Sequence, residues 1–251
     1  MGSVPKIWDG TECWIIGGGT SIATQFSVPD TLIPDTKEDY LRFGDYLRPI
    51  WAKRCIGVNN SIFLGSWIDI GFFGDNSWGI ENKHKIDDFG GLKVTCAPRF
   101  SNKRQYPSLK FIKKNPDKRI GISLDRSALS WNYNSGCAAI NLAVLLGSRR
   151  IILLGFDMSS DKDTLRPHWH SGHPDKSKTP TIQQARKGYV APKVHMVKQP
   201  RYDRHMSGFD AIAEDAERLG IEIINASPES AVDQFPKTTV SELIGDLNAD
   251  N

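Results

Sequence analysis

The sequence predicts an open α/β fold in which a mostly parallel sheet carries helices on both faces. Apolar runs without polar alternation, such as residues 150–155, are typical of parallel strands that are covered on both sides. Segments with helical spacing stand between these runs, and strands that alternate with helices form an open sheet. Glycine and polar residues follow the strands. Because open sheets bind ligands beyond the carboxyl ends of their strands, we expect a functional site there.

Seven short apolar runs predict the strands, and most of them end in glycine or polar residues. In chain order they cover residues 12–16, 54–58, 67–73, 92–96, 120–123, 150–155 and 221–225. The run at 120–123 is weaker than the others.

Helices are predicted over residues 37–50, 135–146 and 209–219. The segment 135–146 carries small and apolar residues nearly all round, which indicates a helix buried inside the protein. Gly147 and Gly220 follow the second and third helices as C-terminal caps. A capping box over residues 239–242 starts a final helix.

The composition fits one domain over residues 1–251. Of the 251 residues, 39% are hydrophobic and 24% are charged. No run of 18 apolar residues is present, so we expect no membrane span. The first residues lack the apolar stretch of a secretory signal, which predicts a cytoplasmic protein.

The four cysteines form no C-x-x-C pair and lie in or beside apolar segments, so we interpret them as buried thiols.

Two basic segments stand out against an acidic remainder. Residues 99–119 hold eight Lys or Arg against one acid, and residues 162–204 hold ten against three. Each surplus is seven, so the net charge of +3 leaves −11 for the rest of the chain. Such segments either attract the phosphates of a nucleotide, a nucleic acid or a lipid surface, or form solvated loops. The second one falls in an irregular stretch at 159–205, which we interpret as a lid or insertion.

Two polar, glycine-containing sequences could hold an anion. The first follows the opening strand and comprises Gly17, Gly18, Gly19, Thr20 and Ser21. Glycines let backbone amides approach a phosphate, although an ordinary tight turn has the same composition. The second precedes the buried helix and comprises Asn134, Ser135 and Gly136. An Asn or Ser there fits a helix N-cap, and a helix N-terminus also attracts anions.

Histidines and one aspartate supply the remaining candidate chemistry. His168, His170 and His173 stand within six residues. They could include a general base, bind a phosphate or ligate a metal ion, or they could belong to a solvated loop. Asp157 follows the strand at 150–155, where a carboxylate could bind a metal ion or a hydroxyl group, or cap the next turn.

The order of these sequences resembles one enzyme family. Over about residues 12–235, the glycine turn, the Asn59-Asn60 strand end, the Asn-Ser-Gly sequence and the histidine loop resemble the bacterial lipooligosaccharide sialyltransferases. Those enzymes have a single-domain, Rossmann-like GT-A variant fold. The chain also resembles the related clan of flagellin-glycosylating and archaeal pterin pyrophosphokinase-like proteins, and bacteriophage sequences of this type.

The resemblance implies a nucleotide-binding site and a general base. The nucleotide-binding residues would be Gly17, Gly18, Gly19, Thr20, Ser21, Asn59, Asn60, Asn76, Asn134, Ser135, Gly136, Asp157 and His170. His173 would be the catalytic base, and His170 would replace a phosphate-binding tyrosine. The chain departs from the family where Gly18 and Thr20 replace Asn and Pro, and where Ser159 replaces a tyrosine.

The implied reaction is a direct displacement. His173 would take the proton of an acceptor hydroxyl as its oxygen attacks the sugar of a nucleotide donor such as a CMP-sugar. The acceptor would be a glycan or nucleic acid, no cofactor would be required, and a homo-oligomer is compatible with the family.

Two alternatives remain open. A pyrophosphokinase or another nucleotide-dependent transferase would bind Mg²⁺ through Asp75 or Asp157. A phage protein that binds or modifies nucleic acid would use the basic segments, and its cytoplasmic location would be in the host.

Overall fold

The computed structural model describes residues 3–162, 164, 166–171 and 202–245. Seven parallel strands form its main sheet, in the order β5-β4-β3-β2-β1-β8-β9. These strands are β1 (Glu12–Ile16), β2 (Cys55–Val58), β3 (Ile70–Phe73), β4 (Leu92–Thr95), β5 (Leu109–Phe111), β8 (Arg150–Leu154) and β9 (Glu222–Asn225). A second parallel pair consists of β6 (Lys113–Lys114) and β7 (Ala128–Leu129). The predicted α/β, Rossmann-like class is confirmed.

Helices cover both faces of the main sheet. In chain order they are α1 (Ser21–Gln25), α2 (Lys37–Tyr46), α3 (Asn76–Glu81), α4 (Lys83–Asp88), α5 (Ser135–Leu146), α6 (Tyr202–Met206), α7 (Phe209–Leu219) and α8 (Val240–Ile244). Alternate side chains of β1 enter two separate cores. Ile15 packs in the core of α5 and α7, whereas Trp14 and Ile16 pack in the core of α1, α2 and α8. Because successive side chains point to opposite faces, a strand covered on both sides is apolar throughout.

The structure confirms the predicted buried helix as α5. All but two of its 12 residues are buried. The Asn134 side chain caps the helix, because its Oδ1 accepts hydrogen bonds from the backbone N–H of Gly136 at 2.7 Å and of Cys137 at 3.4 Å. The prediction of α7 and of the capping box before α8 is also confirmed. The predicted helix at 37–50 ends earlier, at Tyr46, and a 3-10 turn (Arg48–Ile50) follows it.

The predicted strand at 120–123 is wrong. Gly121 has a left-handed backbone, with φ +82°, which does not fit a strand. Side chains bind the backbone here, since Gly121 N–H donates to Asn132 Oδ1 at 2.7 Å and Ile122 N–H donates to Asp215 Oδ2 at 2.7 Å. The fifth strand of the sheet is instead β5, which lies in the first basic segment.

The four cysteines are buried free thiols, as predicted. Burial raises the pKa of Cys96 to about 12, so this thiol is inert as a nucleophile at neutral pH. Within the described part of the chain, no helix is long and apolar enough to cross a bilayer.

The winding of the sheet changes direction at β1. Strands β2 to β5 lie on one side of β1, and β8 and β9 lie on the other. The crevice beyond the carboxyl ends of β1 and β8 is therefore the topological switch point, where open sheets bind ligands. Gly17 follows β1 and Gly155 follows β8, and the two turns are joined because Gly19 N–H donates to the Gly155 carbonyl at 2.8 Å.

Candidate functional site

A cavity of about 410 Å³ opens at the switch point. It brings together seven of the predicted nucleotide-binding residues, namely Gly17, Gly18, Asn59, Asn134, Ser135, Gly136 and His170. Asp75, which was considered as a metal ligand, also lies in its wall. These residues come from five distant parts of the sequence, and the meeting of parallel strand ends places them at one edge of the sheet.

The N-terminus of α5 faces this cavity. Ser135 and Gly136 occupy the first two positions of the helix, and both line the cavity. The amides of a helix N-terminus carry a partial positive charge, because the peptide dipoles are aligned along the helix. Helix α5, with 12 residues, is long enough for these dipoles to add up. Asn134 occupies two amides of this turn, while Ser135 is the one residue of the first turn that is only partly buried. The arrangement can bind an anion beside the Ser135 hydroxyl.

Asn59 lines the cavity and carries a buried side-chain oxygen without a partner. It follows β2 and has a left-handed backbone, with φ 53°. Among the described residues, its buried Oδ1 has no hydrogen-bond partner. A buried polar atom without a partner is rare in a folded protein, and at a cavity wall it can accept a hydrogen bond from a ligand.

Unusual backbone conformations cluster around the cavity. Three of the five described non-glycine residues with positive φ line it: Asn59 at 53°, Tyr133 at 55° and Met158 at 50°. A fourth, Asn132 at 53°, directly precedes Tyr133. The left-handed region is unfavourable for side chains such as Tyr and Met, and such residues concentrate at ligand-binding sites.

The Asp157 carboxylate caps the N-terminus of α1, directly after the glycine turn. Its carboxylate accepts hydrogen bonds from the Ser21 backbone N–H at 2.8 Å and from the Ser21 hydroxyl at 2.5 Å. A Cβ on Gly19 would lie 2.4 Å from the Asp157 Cγ, so only glycine lets the turn approach this close. Burial raises the pKa of Asp157 above its usual range, against the opposing effect of the Ser21 hydrogen bonds. Asp157 therefore caps the start of α1, 136 positions earlier in the chain, rather than the turn that follows it, and its role in ligand binding stays a prediction.

The first histidines of the irregular segment are held on the glycine turn by Trp169. This indole is 2% exposed, its Nε1 donates to the Gly17 carbonyl at 3.1 Å, and its backbone N–H donates to the Gly18 carbonyl at 3.2 Å. It also stacks on Phe43 at 4.5 Å between ring centroids. His168 and His170 flank Trp169, and their rings stack at 5.3 Å on the cavity wall. Trp169 thus positions both imidazoles.

A third histidine of the cavity wall, His205, lies on α6. Asn134 Nδ2 donates to the His205 backbone carbonyl at 3.2 Å, which ties α6 to the cap of α5. His205 is exposed as a whole residue, yet partial desolvation of its imidazole lowers the pKa of the ring, and the neighbouring Arg204 lowers it further. His205 is therefore neutral at about pH 7 and can accept a proton.

Several predicted residues lie away from the cavity wall, so their roles in binding stay predictions. Gly19, Thr20 and Ser21 face Asp157. Asn60 is buried between two aromatic residues, because its amide donates to Tyr40 Oη and accepts from Trp78 Nε1, both at 2.7 Å. Asn76 begins α3 and accepts from the Arg99 backbone N–H at 3.1 Å. His173 and most of the predicted lid lie outside the described residues.

Sequence reasoning missed the aromatic wall of the cavity, which consists of Trp78, Trp131, Tyr133 and Phe156. The run Trp131-Asn132-Tyr133 directly before the N-cap was a usable signal, because two large aromatic residues beside a predicted ligand-binding turn can stack on a planar ligand. His205 was missed because it stands 32 positions after His173 in the sequence.

The carboxylates considered for Mg²⁺ have other partners. Asp75 caps α3 by accepting from the Ser77 backbone N–H at 3.1 Å, and Asp157 binds Ser21. In the described ranges, no group of three or more His, Cys, Asp or Glu side chains is arranged to hold a metal ion. The metal requirement of the protein stays a prediction.

Comparisons with known proteins find similarity in solved structures. The sialyltransferase CstII from Campylobacter jejuni, in complex with cytidine-5'-monophosphate, matches at 10% identity over 96% of this chain and 88% of that chain, with a TM-score of 0.47. The same enzyme in complex with CMP-3FNeuAc matches at 10% identity over 91% of this chain and 85% of that chain, with a TM-score of 0.42. No protein-family model and no curated relative matches the chain. At this identity and TM-score, the similarity assigns neither an activity nor a site.

Proposed function

We propose that the chain is a nucleotide-dependent transferase that moves a sugar from a nucleotide donor, of the CMP-sugar type, to an acceptor hydroxyl. The observation that carries this proposal is the cavity at the switch point, which is lined both by the N-terminus of α5 and by Asn59, whose buried Oδ1 has no partner among the described residues. A nucleotide has an anionic phosphate and a planar base with polar edges. The cavity offers a partner for each.

The phosphate would lie at the N-terminus of α5. Ser135 supplies a hydroxyl there, and the imidazoles of His168 and His170 stand on the same cavity wall. Preorganised donors of this kind stabilise negative charge as it develops on a leaving group. The alternative cradle, at the start of α1, is already filled by the Asp157 carboxylate. We therefore assign Gly17 and Gly18 to the cavity wall and the phosphate to α5.

The base and sugar would occupy the aromatic part of the cavity. Trp131 and Tyr133 can stack on a planar ring, and Asn59 Oδ1 can accept a hydrogen bond from an exocyclic amine or a sugar hydroxyl. The Lys114 ammonium lies 3.6 Å from the centroid of the Trp131 ring and fixes its position. The volume of about 410 Å³ falls in the range of small-molecule sites.

A histidine would serve as general base in a single displacement. The acceptor oxygen attacks the anomeric carbon, its proton passes to the imidazole, and the bond between that carbon and the phosphate oxygen breaks. The nucleoside monophosphate leaves with both electrons of the broken bond. His205 is a described candidate for this role, since it lines the cavity and its backbone carbonyl is bonded to Asn134, the cap residue of α5. His173 stays the candidate that the family resemblance implies.

A thermal-shift panel of CMP, CDP, UDP, GDP, ADP and ATP, each with and without Mg²⁺, tests nucleotide binding. A ligand at a hundred times its dissociation constant adds about 2.7 kcal/mol to the free energy of unfolding. We expect stabilisation by CMP without metal. Stabilisation only by a triphosphate with Mg²⁺ would instead favour the pyrophosphokinase alternative, and no stabilisation by any nucleotide would refute the proposal.

Turnover of a CMP-sugar then tests the base. We expect His205→Gln to reduce kcat by about 10² to 10⁴, with CMP affinity retained. His173→Gln tests the other candidate in the same assay. His84→Gln is the matched control, because His84 is an exposed residue of α4 away from the cavity. A His205 variant with the kcat of this control would remove His205 from the mechanism.

A further inference from the structure

A second cavity, of about 560 Å³, lies on the face of the sheet that carries α5, near the edge strand β5. Helix α5 packs against β1, β2 and β3, and the cavity opens beyond it over β4 and β5. Leu142 and Leu146 of α5 form one wall, and the N-terminal segment 3–7 forms another. Ile70 and Val94 form the floor. A parallel sheet normally has both faces covered, so we expect a partner to cover this apolar groove.

The rim of the groove is apolar and cationic. Ile7 is 54% exposed and Leu92 is 37% exposed, and both line the groove. Lys103 and Lys110 also line it, while Arg104 lies next to Lys103 in the chain. Among the described residues, no carboxylate is within ion-pair distance of these three cations. An occupant that carries negative charge next to an apolar part would complement this surface.

A second copy of the chain does not meet this requirement. A two-fold interface apposes the same patch on both subunits. It would place the cationic rim of one subunit against the cationic rim of the other, and like charges repel. A nucleic acid would neutralise the lysines, but its polar backbone would leave the aliphatic groove and the Leu92 side chain without a partner.

We infer that this surface docks the protein on an anionic lipid bilayer. The lysines would contact anionic headgroups, and Ile7 and Leu92 would enter the interface beside the acyl chains. Lys103 and Lys110 do not line the nucleotide cavity, so the docking surface is independent of the proposed transfer reaction.

Vesicle co-sedimentation of the full chain tests this inference. The vesicles contain either phosphatidylcholine alone or an equimolar mixture of phosphatidylcholine and phosphatidylglycerol. We expect binding to the mixture only, with release at high salt, because screening weakens attraction between exposed charges. The variant Lys103→Glu/Lys110→Glu should bind at least about 30-fold more weakly, and Leu92→Gln several-fold more weakly with an unchanged salt dependence.

The control is Lys37→Glu/Arg42→Glu on α2, which makes the same charge change on the opposite face of the sheet. Thermal unfolding checks that each variant is folded, and Lys103→Gln/Lys110→Gln replaces the charge reversal if it is not. Failure of the natural chain to bind the mixed vesicles, equal binding to phosphatidylcholine, or an equal loss in the control overturns the inference. Competition by duplex DNA together with unchanged binding of Leu92→Gln would identify a general polyanion surface and also overturn it.

Discussion

Replacing Asn59 separates ligand binding from stability. In the free protein, its buried Oδ1 has no partner among the described residues, and its backbone is left-handed, with φ 53°. Both features are unfavourable for the free protein, and Asn59 lines the cavity. Asn59→Gly removes the amide and suits the left-handed backbone. Asn59→Ala removes the amide but keeps a Cβ at a backbone conformation that disfavours it.

The magnitudes follow from these two features. An unsatisfied buried polar atom costs about 1–3 kcal/mol, whereas glycine loses about 0.5–1 kcal/mol through chain entropy. We expect Asn59→Gly to raise the free energy of unfolding by about 1 kcal/mol. Asn59→Ala should be about 1–2 kcal/mol less stable than Asn59→Gly, because alanine is strained at this φ. Both variants should bind CMP about 5- to 150-fold more weakly, through loss of a hydrogen bond of about 1–3 kcal/mol.

Urea unfolding at constant m value and calorimetric titration with CMP measure the two effects. The matched control is Asn132→Gly, because Asn132 has the same φ of 53° but its amide is fully used, with bonds to Gly121 N–H at 2.7 Å and to the Gly121 carbonyl at 3.0 Å. This control should lose about 1–3 kcal/mol of stability. Loss of stability in Asn59→Gly, or an unchanged affinity for CMP, would refute the reasoning.

Three further predictions concern Gly19, Asp157 and Asn134. Gly19→Ala should lose about 2–4 kcal/mol of stability, because its Cβ would lie 2.4 Å from the Asp157 Cγ, and Asp157→Ala in the same chain should recover part of this loss. The raised pKa of Asp157 means that the folded state favours the protonated acid, so stability from this group is present below about pH 4 and is lost as pH rises through the folded pKa. Asp157→Asn should therefore gain stability relative to the natural chain as pH rises, in urea unfolding between about pH 4 and pH 8. Asn134→Ala should lose about 1 kcal/mol through the α5 cap and should also release the bond to the His205 carbonyl, which is measured as faster amide exchange in α6.

Each of these predictions has a contradictory outcome. Equal costs for Gly19→Ala with and without Asp157 would show that the two residues do not meet. A natural chain and an Asp157→Asn variant with parallel pH profiles would show that Asp157 has an ordinary pKa in the folded state. Unchanged stability of Asn134→Ala would mean that another group, or water, caps α5.

Local patterns predicted the regular elements because those patterns are caused by the elements themselves. The segment 135–146 is apolar all round because α5 is covered on all sides, and its prediction agrees with the observed helix at both ends. The error at 120–123 has a different origin. Asn132 and Asp215, which lie 11 and 93 residues away in the chain, bind the backbone amides that a strand would have used. No pattern within the segment records those partners.

The candidate site likewise combines features that the sequence predicted with features that depend on distant residues. The sequence singled out Gly17, Asn59 and Ser135 because polar and glycine residues after strands or before a helix mark the ligand-binding edge of an open sheet. The sequence did not show that Gly17 and Gly19 have different surroundings. Gly17 faces the cavity, whereas Gly19 faces the Asp157 carboxylate. That difference depends on Asp157, which is 138 positions from Gly19 and reaches it only through the pairing of β1 with β8.

The sequence by itself thus determined the α/β class, the buried helix α5 and the edge of the sheet at which a ligand would bind. Hydrophobic period, capping residues and glycine turns are short-range signals, and they fix what lies within a few residues of each other. Only the tertiary structure decided that Asp157 fills the start of α1, that the N-terminus of α5 stays open to the cavity, and that His205 joins His168 and His170. These relations depend on which strands are neighbours, and strand order is set by packing of the whole sheet rather than by any local sequence.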